Sequence, residues 1–317
     1  MIEVTALGEL LIDFSAKSAD VDGYPTMTAH AGGAPANFLA AARSFGHEAA
    51  LIAKVGDDAF GRMLVRTLKN AGISTEGILI DPDVFTTLAF VTLDSTGNRS
   101  FSFARKPGAD TSLRFSEVKL PLIDEAEVFY YGTLSLTNEP SRSAAMASVS
   151  YAKAKGRILF CDPNLRLSLW KDPGEARSMM EWAVSRADIV KISDEECVFL
   201  WGCRPETSAR RLVDSMGVKL AMVTLGPEGC LLVNRNASVY CKSPSVHPVD
   251  TTGAGDIFGG SALSRILEIG KPVEDLSESE LFEIGTFASA SASLSTEHAG
   301  GIASIQRRDV ILNRIRK

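Results

Sequence analysis

Short apolar runs alternate with longer amphipathic stretches over most of the 317 residues. The apolar runs lie at residues 3–7, 49–55, 128–131, 158–161, 189–192 and 220–224. Apolar residues at helical spacing cover 34–45 and 59–70, and the intervals between the later runs are long enough for crossover helices. The sequence therefore predicts an α/β fold with a doubly wound, mostly parallel sheet.

Two pairs of strand-like segments depart from this alternation, because no helical stretch separates their members. The pairs are 10–16 with 26–31 and 88–93 with 99–105. The second pair is joined by residues 94–98, whose Gly97 suits a hairpin connection. These segments predict a small antiparallel β lid, inserted into the main domain at about 10–31 and 86–106.

Composition and charge exclude several classes of protein. A net charge of −6 argues against a nucleic-acid partner, which requires clustered Lys and Arg. No apolar run approaches the roughly 20 residues that span a bilayer, and the first residues lack a secretory pattern, so we expect a cytoplasmic protein without a membrane partner. The five cysteines have no C-x-x-C spacing, and buried reduced thiols are the simplest interpretation.

A glycine-rich segment precedes a helix-compatible stretch near the end of the chain. Residues 250–256 read Asp-Thr-Thr-Gly-Ala-Gly-Asp, and small residues there leave backbone N–H groups uncovered at a helix N-terminus, where they favour an anion. Asp256 adjoins these donors and could accept a proton from a hydroxyl that attacks a phosphoryl group. A carboxylate in a first helical turn is also stabilised by the helix dipole alone. No Gly-Lys-Ser/Thr follows, so this is not a Walker loop.

A second glycine-rich segment begins an early helix. Residues 32–37 read Gly-Gly-Ala-Pro-Ala-Asn, in which Gly32 and Gly33 permit close backbone approach and Asn37 offers a donor and an acceptor. Asp13 lies inside an apolar strand, where a carboxylate is costly unless donors such as sugar hydroxyls satisfy it. An ordinary helix start and a solvent-facing carboxylate are the structural alternatives.

Both segments resemble the two signatures of the ribokinase-like (PfkB) sugar-kinase family, and the likeness extends over nearly the whole chain. The resemblance implies a single kinase domain over residues 1–317 that uses ATP and Mg²⁺. It implies Asp256 as the catalytic base and Gly253, Ala254 and Gly255 as the anion hole. It further implies that Asp13, Gly32, Gly33 and Asn37 contact the sugar.

The resemblance also implies roles for residues elsewhere in the chain. Phe103 and Arg105 would lie on the lid over the sugar, and Arg166 would contact the phosphate or the sugar. Glu196 would organise water around Mg²⁺. Nucleotide contacts are expected from Ser193, Thr224, Gly226, Gly229, Gly253, Gly255 and Ser289. A monovalent cation, expected to be K⁺, would be held with help from Asp250, Thr252, Gly301 and Ser304.

Several of these residues have a structural alternative. Ser193 stands where the family usually has Asn, and it could equally cap the helix that follows. Arg105 could be a charge on the lid edge that blocks aggregation, and Phe103 could simply pack the hairpin.

The residues of these motifs resemble those of the fructokinases most, and this resemblance implies D-fructose as the acceptor. Aminoimidazole riboside or other ribosyl nucleoside kinases and 2-keto-3-deoxygluconate kinases share much of the pattern and stay open as alternatives. A sensor that binds sugar and nucleotide without turnover is the alternative from a different class. Exposed lid strands invite pairing with a second copy, so we expect a homodimer through the lid.

Overall fold

The computed structural model describes residues 2–19, 22, 24–93 and 99–316. The strands β1 to β13 are Val4–Leu7, Leu11–Ala19, Pro25–Gly32, Ala49–Gly56, Ser74–Asp81, Leu88–Leu93, Arg99–Ala104, Val128–Gly132, Ile158–Asp162, Ile189–Ser193, Leu220–Thr224, Gly229–Asn234 and Ser238–Lys242. The helices α1 to α11 are Ala34–Ser44, Ala59–Asn70, Leu120–Glu125, Ser141–Ala154, Pro173–Val184, Asp194–Trp201, Pro205–Arg210, Ala254–Ile269, Glu278–Ser295, Gly301–Ser304 and Arg308–Ile315. The connection predicted at 94–98 lies outside the described residues.

The larger sheet has the strand order β13-β12-β11-β10-β9-β8-β1-β4-β5. Its strands pair in parallel from β5 to β11, and only β12 and β13 add antiparallel pairs at one edge. The interior strands β1 and β4 are buried along their whole length, as expected for a sheet covered on both faces. This confirms the predicted doubly wound, mostly parallel sheet.

Two apolar clusters fill the space between this sheet and its helices. One cluster contains buried residues of α1, α2, α8 and α9, and the other contains residues of α4 to α7. Helices α1 and α8 approach each other closely at Gly260. A Cβ on Gly260 would overlap the carbonyl oxygen of Phe38, so only a glycine fits there. This contact places the two glycine-rich segments, each at the N-terminus of its helix, side by side.

The smaller sheet has the strand order β3-β2-β6-β7. Pairing is antiparallel within β2–β3 and within β6–β7, as predicted, whereas the central strands β2 and β6 run parallel. Phe14 of β2 stacks on Phe90 of β6 with ring centroids 5.3 Å apart, and its ring meets Phe60 of α2 edge-on at 5.7 Å. Aromatic packing therefore attaches this lid sheet to the main domain.

The helices in the described part of the chain include none that is long and apolar enough to cross a bilayer. The five cysteines, all of them among the described residues, are free thiols.

Candidate active site

The segment at residues 250–256 forms a loop that leads into helix α8. Gly253 is the N-cap residue with φ +78°, a left-handed conformation that glycine adopts without steric cost. Gly253 has no side chain that could accept hydrogen bonds from the first amides of the helix, and the amide of Ala254 donates instead to the carbonyl oxygen of Thr251 at 3.3 Å. Asp256 lies in the first turn, as predicted.

Two pockets are lined by residues of this loop and by residues at the carboxyl ends of parallel strands. The first is about 320 Å³ and is lined by residues from both the main domain and the lid. The second is about 590 Å³ and lies between the loop, helix α9 and the segment after β13. Thr251 and Gly255 line both pockets. A group transferred between ligands in the two pockets would therefore pass the N-terminus of α8.

Asp256 lines the first pocket and is only 8% exposed. The side-chain amide of Asn37 donates a hydrogen bond to its carboxylate at 2.9 Å. Burial raises the pKa of Asp256 above its usual range, while the charge of Lys191 and the hydrogen bond from Asn37 act in the opposite direction. A buried carboxylate with a raised pKa is a stronger base than an exposed one, which suits proton abstraction.

The first pocket brings together most of the side chains predicted to contact a sugar. Its lining includes Asp13, Gly33, Asn37, Phe103 and Arg166, together with Gly253, Gly255 and Asp256. Burial raises the pKa of Asp13 to about 7, although the charge of Arg166 lowers it. Gly32 makes room for this carboxylate, since a Cβ at Gly32 would overlap Asp13 Oδ2.

Arg105 follows the last lid strand, β7, and its side chain is buried. It is 4% exposed, and its guanidinium pairs with Asp110, with Nε donating to Oδ2 at 2.8 Å. Nη2 also donates to the carbonyl oxygen of Leu134 at 3.1 Å, and Leu134 lines the first pocket, whereas Arg105 is absent from the described lining. Arg105 therefore supports the pocket wall through Leu134, and its contact with the sugar stays a prediction.

The second pocket brings together the residues predicted for the nucleotide loop. Thr224, Gly226, Gly229 and Ser289 line it, and Ala254 joins them from the glycine-rich segment. Apolar surface from Pro227, Val246, Phe258 and Ala292 contributes to the same walls. A mostly apolar pocket with a few polar groups at one end suits a planar base with phosphates directed at the α8 N-terminus.

Ser193 lies outside the described lining of both pockets. Its hydroxyl accepts a hydrogen bond from the amide of Glu196 at 3.2 Å, and the Glu196 carboxylate accepts from the Ser193 amide at 2.9 Å. This capping box holds the first turn of α6. Ser193 therefore caps α6, as the structural alternative has it, and its nucleotide contact stays a prediction.

The residues predicted to hold cations lie in two separate places. Glu196 Oε1 accepts a hydrogen bond from the Leu165 amide at 2.7 Å, on the loop after β9. Asp250 accepts from the amides of Thr252 and Gly300, both at 3.0 Å, so it joins the glycine-rich loop to the turn at α10. The hydroxyl of Ser304 donates to the carbonyl oxygen of Gly301 at 2.8 Å.

Several pocket residues were not predicted from the sequence. Glu9, Asn164, Lys191 and Thr251 all line the first pocket. Lys191 had a recognisable signal, because a lysine inside the apolar strand Ile-Val-Lys-Ile-Ser is as costly as the aspartate that singled out Asp13. Asn164 has φ +49°, a conformation that is uncommon outside glycine and often marks a functional position.

Comparison with known proteins identifies the family. The pfkB family of carbohydrate kinases matches residues 1–308. Fructokinase-1 of Zea mays is 40% identical over 317 residues, which cover 99% of this chain and 98% of that protein.

Three solved structures share the fold over nearly their whole length. A fructokinase from Xylella fastidiosa with bound ATP has a TM-score of 0.90 at 27% identity and covers 100% of this chain and 99% of its own. A fructokinase double mutant from Vibrio cholerae, bound to fructose, ADP and potassium ion, has a TM-score of 0.88 at 30% identity, with 99% and 98% covered. A putative ribokinase II from E. coli, in complex with ATP and Mg²⁺, has a TM-score of 0.88 at 27% identity, with 100% and 99% covered. The chain therefore belongs to the pfkB family of carbohydrate kinases, as its two glycine-rich segments predicted.

Proposed function

We propose that this chain transfers the γ-phosphoryl group of ATP to the terminal hydroxyl of D-fructose and forms fructose 6-phosphate. The observation that carries the proposal is that Gly255 lines both pockets while Asp256, the next residue, faces the first one. Fructose as the acceptor is supported by the 40% identity to a fructokinase over almost the whole chain.

We assign the steps of the reaction to this chain's own groups. The sugar hydroxyl attacks the γ-phosphorus, a new P–O bond forms to the sugar, and the bond to the ADP oxygen breaks. Asp256 takes the hydroxyl proton, and the amides of Gly253, Ala254 and Gly255 stabilise the charge on the phosphoryl oxygens.

The metal ions of the related structures fit the donors that this chain offers. The described residues include no cluster of three or more His, Cys, Asp or Glu side chains that could hold a metal. This fits a Mg²⁺ ion that is held by nucleotide phosphates and by water, with Glu196 binding through water. When bound, Mg²⁺ neutralises charge on the phosphates. The oxygens near Asp250, Thr252, Gly301 and Ser304 are of the kind that hold K⁺.

A substrate panel tests the assignment of the acceptor. ADP release is measured with a coupled assay on fructose, ribose, aminoimidazole riboside, adenosine and 2-keto-3-deoxygluconate. We expect the highest kcat/KM with fructose. A higher value with one of the other four reassigns the acceptor on the same scaffold, and binding of sugar and ATP without turnover identifies a sensor.

The hydrogen bond that Asn37 donates to Asp256 leads to a prediction about how kcat depends on pH. Asp256 acts as a base only when it is deprotonated, so activity falls as the pH drops through its pKa. The hydrogen bond stabilises the carboxylate and lowers that pKa. Asn37→Ala removes this contribution, so the acidic limb of the kcat profile should move to higher pH. The exposed Asn236→Ala serves as the control and should leave the profile unchanged.

We also propose that the whole chain acts as one kinase domain and that it forms a homodimer through the lid. We further propose that it functions in the cytoplasm. Strand β3 lies at an edge of the lid sheet, and Pro25, Thr26 and Thr28 on it are exposed, which leaves that edge available for pairing. The free thiols are compatible with a reducing compartment. Light scattering coupled to size exclusion tests the dimer, and a monomeric mass would contradict it.

A further inference from the structure

Lys191 and Asp162 form an ion pair in the interior of the protein. Lys191 is on strand β10 and 7% exposed, and Asp162 ends the neighbouring strand β9 and is 1% exposed. The Lys191 ammonium lies 3.1 and 3.2 Å from the two carboxylate oxygens of Asp162. Burial lowers the pKa of Lys191, but the carboxylates of Asp162, Glu196 and Asp256 together raise it above its usual range, so the side chain carries a positive charge.

Stability alone does not explain this pair. Moving two charges out of water costs several kcal/mol for each ion, and replacing a buried pair with apolar side chains of similar volume is often neutral or stabilising. An isolated buried pair is therefore weak evidence for a stabilising role. Its position in the fold indicates another use.

The ammonium of Lys191 lies at the junction of the two pockets. Lys191 lines the first pocket, and a Cβ placed on Gly255 would be 2.8 Å from Lys191 Nζ. Gly255 also lines the second pocket. The positive charge is therefore adjacent to the backbone past which a phosphoryl group would move.

The same pocket holds three carboxylates beside its two cations, Lys191 and Arg166. Glu9, Asp13 and Asp256 line it with Lys191, and burial raises the pKa of Glu9 and of Asp13 to about 7 in each case. Carboxylates close to an incoming phosphate disfavour it through like-charge repulsion. A fixed cation on the phosphate side of the pocket would offset that repulsion.

We propose that Lys191 is a further catalytic residue, whose ammonium is held by Asp162 and donates a hydrogen bond to a non-bridging oxygen of the phosphoryl group during transfer. The proposal rests on the proposed kinase reaction. The P–O bond to ADP breaks, the P–O bond to the sugar forms, and the hydroxyl proton goes to Asp256. Lys191 stays protonated throughout and lowers the energy of the charge that develops on the phosphoryl oxygens.

The test uses variants that remove the ammonium with and without its partner. Lys191→Met leaves a buried carboxylate without its cation and could fail to fold, so the double variant Asp162→Asn/Lys191→Met is made in parallel. We expect either variant to lower kcat by about 30-fold, the loss typical of one hydrogen bond to a charged group. Lys219→Met is the matched control, because Lys219 also pairs with an aspartate, Asp188, at 3.2 Å. Lys219 precedes β11 and so lies at the amino-terminal end of that strand, whereas the pockets lie at the carboxyl ends of the strands.

A binding measurement separates a catalytic role from a structural one. ADP with aluminium fluoride and fructose imitates the transferring phosphoryl group, and its affinity should fall by about 30-fold in the double variant. The affinities for ADP alone and for fructose alone should change by less than about three-fold. Lys219→Met should leave all three affinities at the wild-type level.

Five outcomes decide the proposal. A weaker transition-state complex with unchanged ground-state binding supports it. An unchanged affinity for the aluminium fluoride complex, whatever the loss of stability, overturns it. A loss of kcat that disappears at high pH also overturns it, because Lys191 would then act only by lowering the pKa of Asp256. A wild-type protein that phosphorylates no sugar contradicts the proposed function and the role of Lys191 together, whereas an active wild type with near-normal variants contradicts only the latter.

Discussion

Replacing Asp256 with Asn should lower kcat by at least about 100-fold, the usual contribution of a positioned general base. The amide has nearly the same shape and cannot accept the proton of the sugar hydroxyl. Its oxygen can still accept the hydrogen bond that Asn37 donates to Asp256 at 2.9 Å, so the loop should keep its conformation. Steady-state kinetics with fructose and ATP measure the effect.

The matched measurements for Asp256→Asn are the affinities for ADP and fructose and the thermal unfolding temperature, all of which should stay close to wild type. A variant that binds both ligands and turns over at a near-normal rate would show that another group removes the proton. Asp13 and Glu9 are the other carboxylates in the described lining of the same pocket.

Gly253→Ala is the second substitution with a large expected effect. Gly253 has φ +78°, and a Cβ there would lie 3.0 Å from Asn37 Nδ2 and 3.0 Å from the Cα of Gly301. Neither neighbour can easily retreat, because Asn37 is held by Asp256 and Gly301 belongs to the backbone of α10. The first amides of α8 should shift away from their positions, and kcat should fall by about 100-fold, as for the loss of one anion-hole donor.

The other end of the same helix supplies the control for Gly253→Ala. Gly270 ends α8 in a similar left-handed conformation, φ +66°, and a Cβ there would meet only the Leu267 carbonyl oxygen at 3.9 Å. Gly270→Ala should lower the free energy of unfolding by about 1 kcal/mol through backbone strain and leave kcat unchanged. Equal losses of activity in both variants would mean that the effect at Gly253 comes from helix stability and not from the anion hole.

The sequence predicted the fold well where hydrophobic patterns are simple. Apolar runs buried on both faces of a parallel sheet give a clear signal, and β11 and α2 have the predicted bounds Leu220–Thr224 and Ala59–Asn70. The strand β5, Ser74–Asp81, was missed because it mixes buried and exposed residues without regular alternation. The parallel pairing of β2 with β6 could not be predicted either. It joins segments about 75 residues apart, and no short sequence pattern marks which distant strands will pair.

The sequence predicted which segments form the site better than where each side chain points. Asp13, Asn37 and Asp256, which motif spacing singled out, line one pocket, because glycines and helix starts fix the backbone there. The direction of the Arg105 side chain could not be predicted, because it depends on Asp110, which follows β7 and pairs with the guanidinium in the interior. The side chain of a charged residue at the end of a strand can point toward the pocket or toward the interior, and only the packing around it decides which.

The most direct test of the account is a crystal structure with ADP, Mg²⁺, aluminium fluoride and fructose bound. We expect the fluoride complex within hydrogen-bonding distance of the amides of Gly253 to Gly255 and the terminal hydroxyl of fructose within the same distance of the Asp256 carboxylate. Aluminium fluoride bound away from the start of α8, or a fructose hydroxyl held by a different carboxylate, would contradict the account.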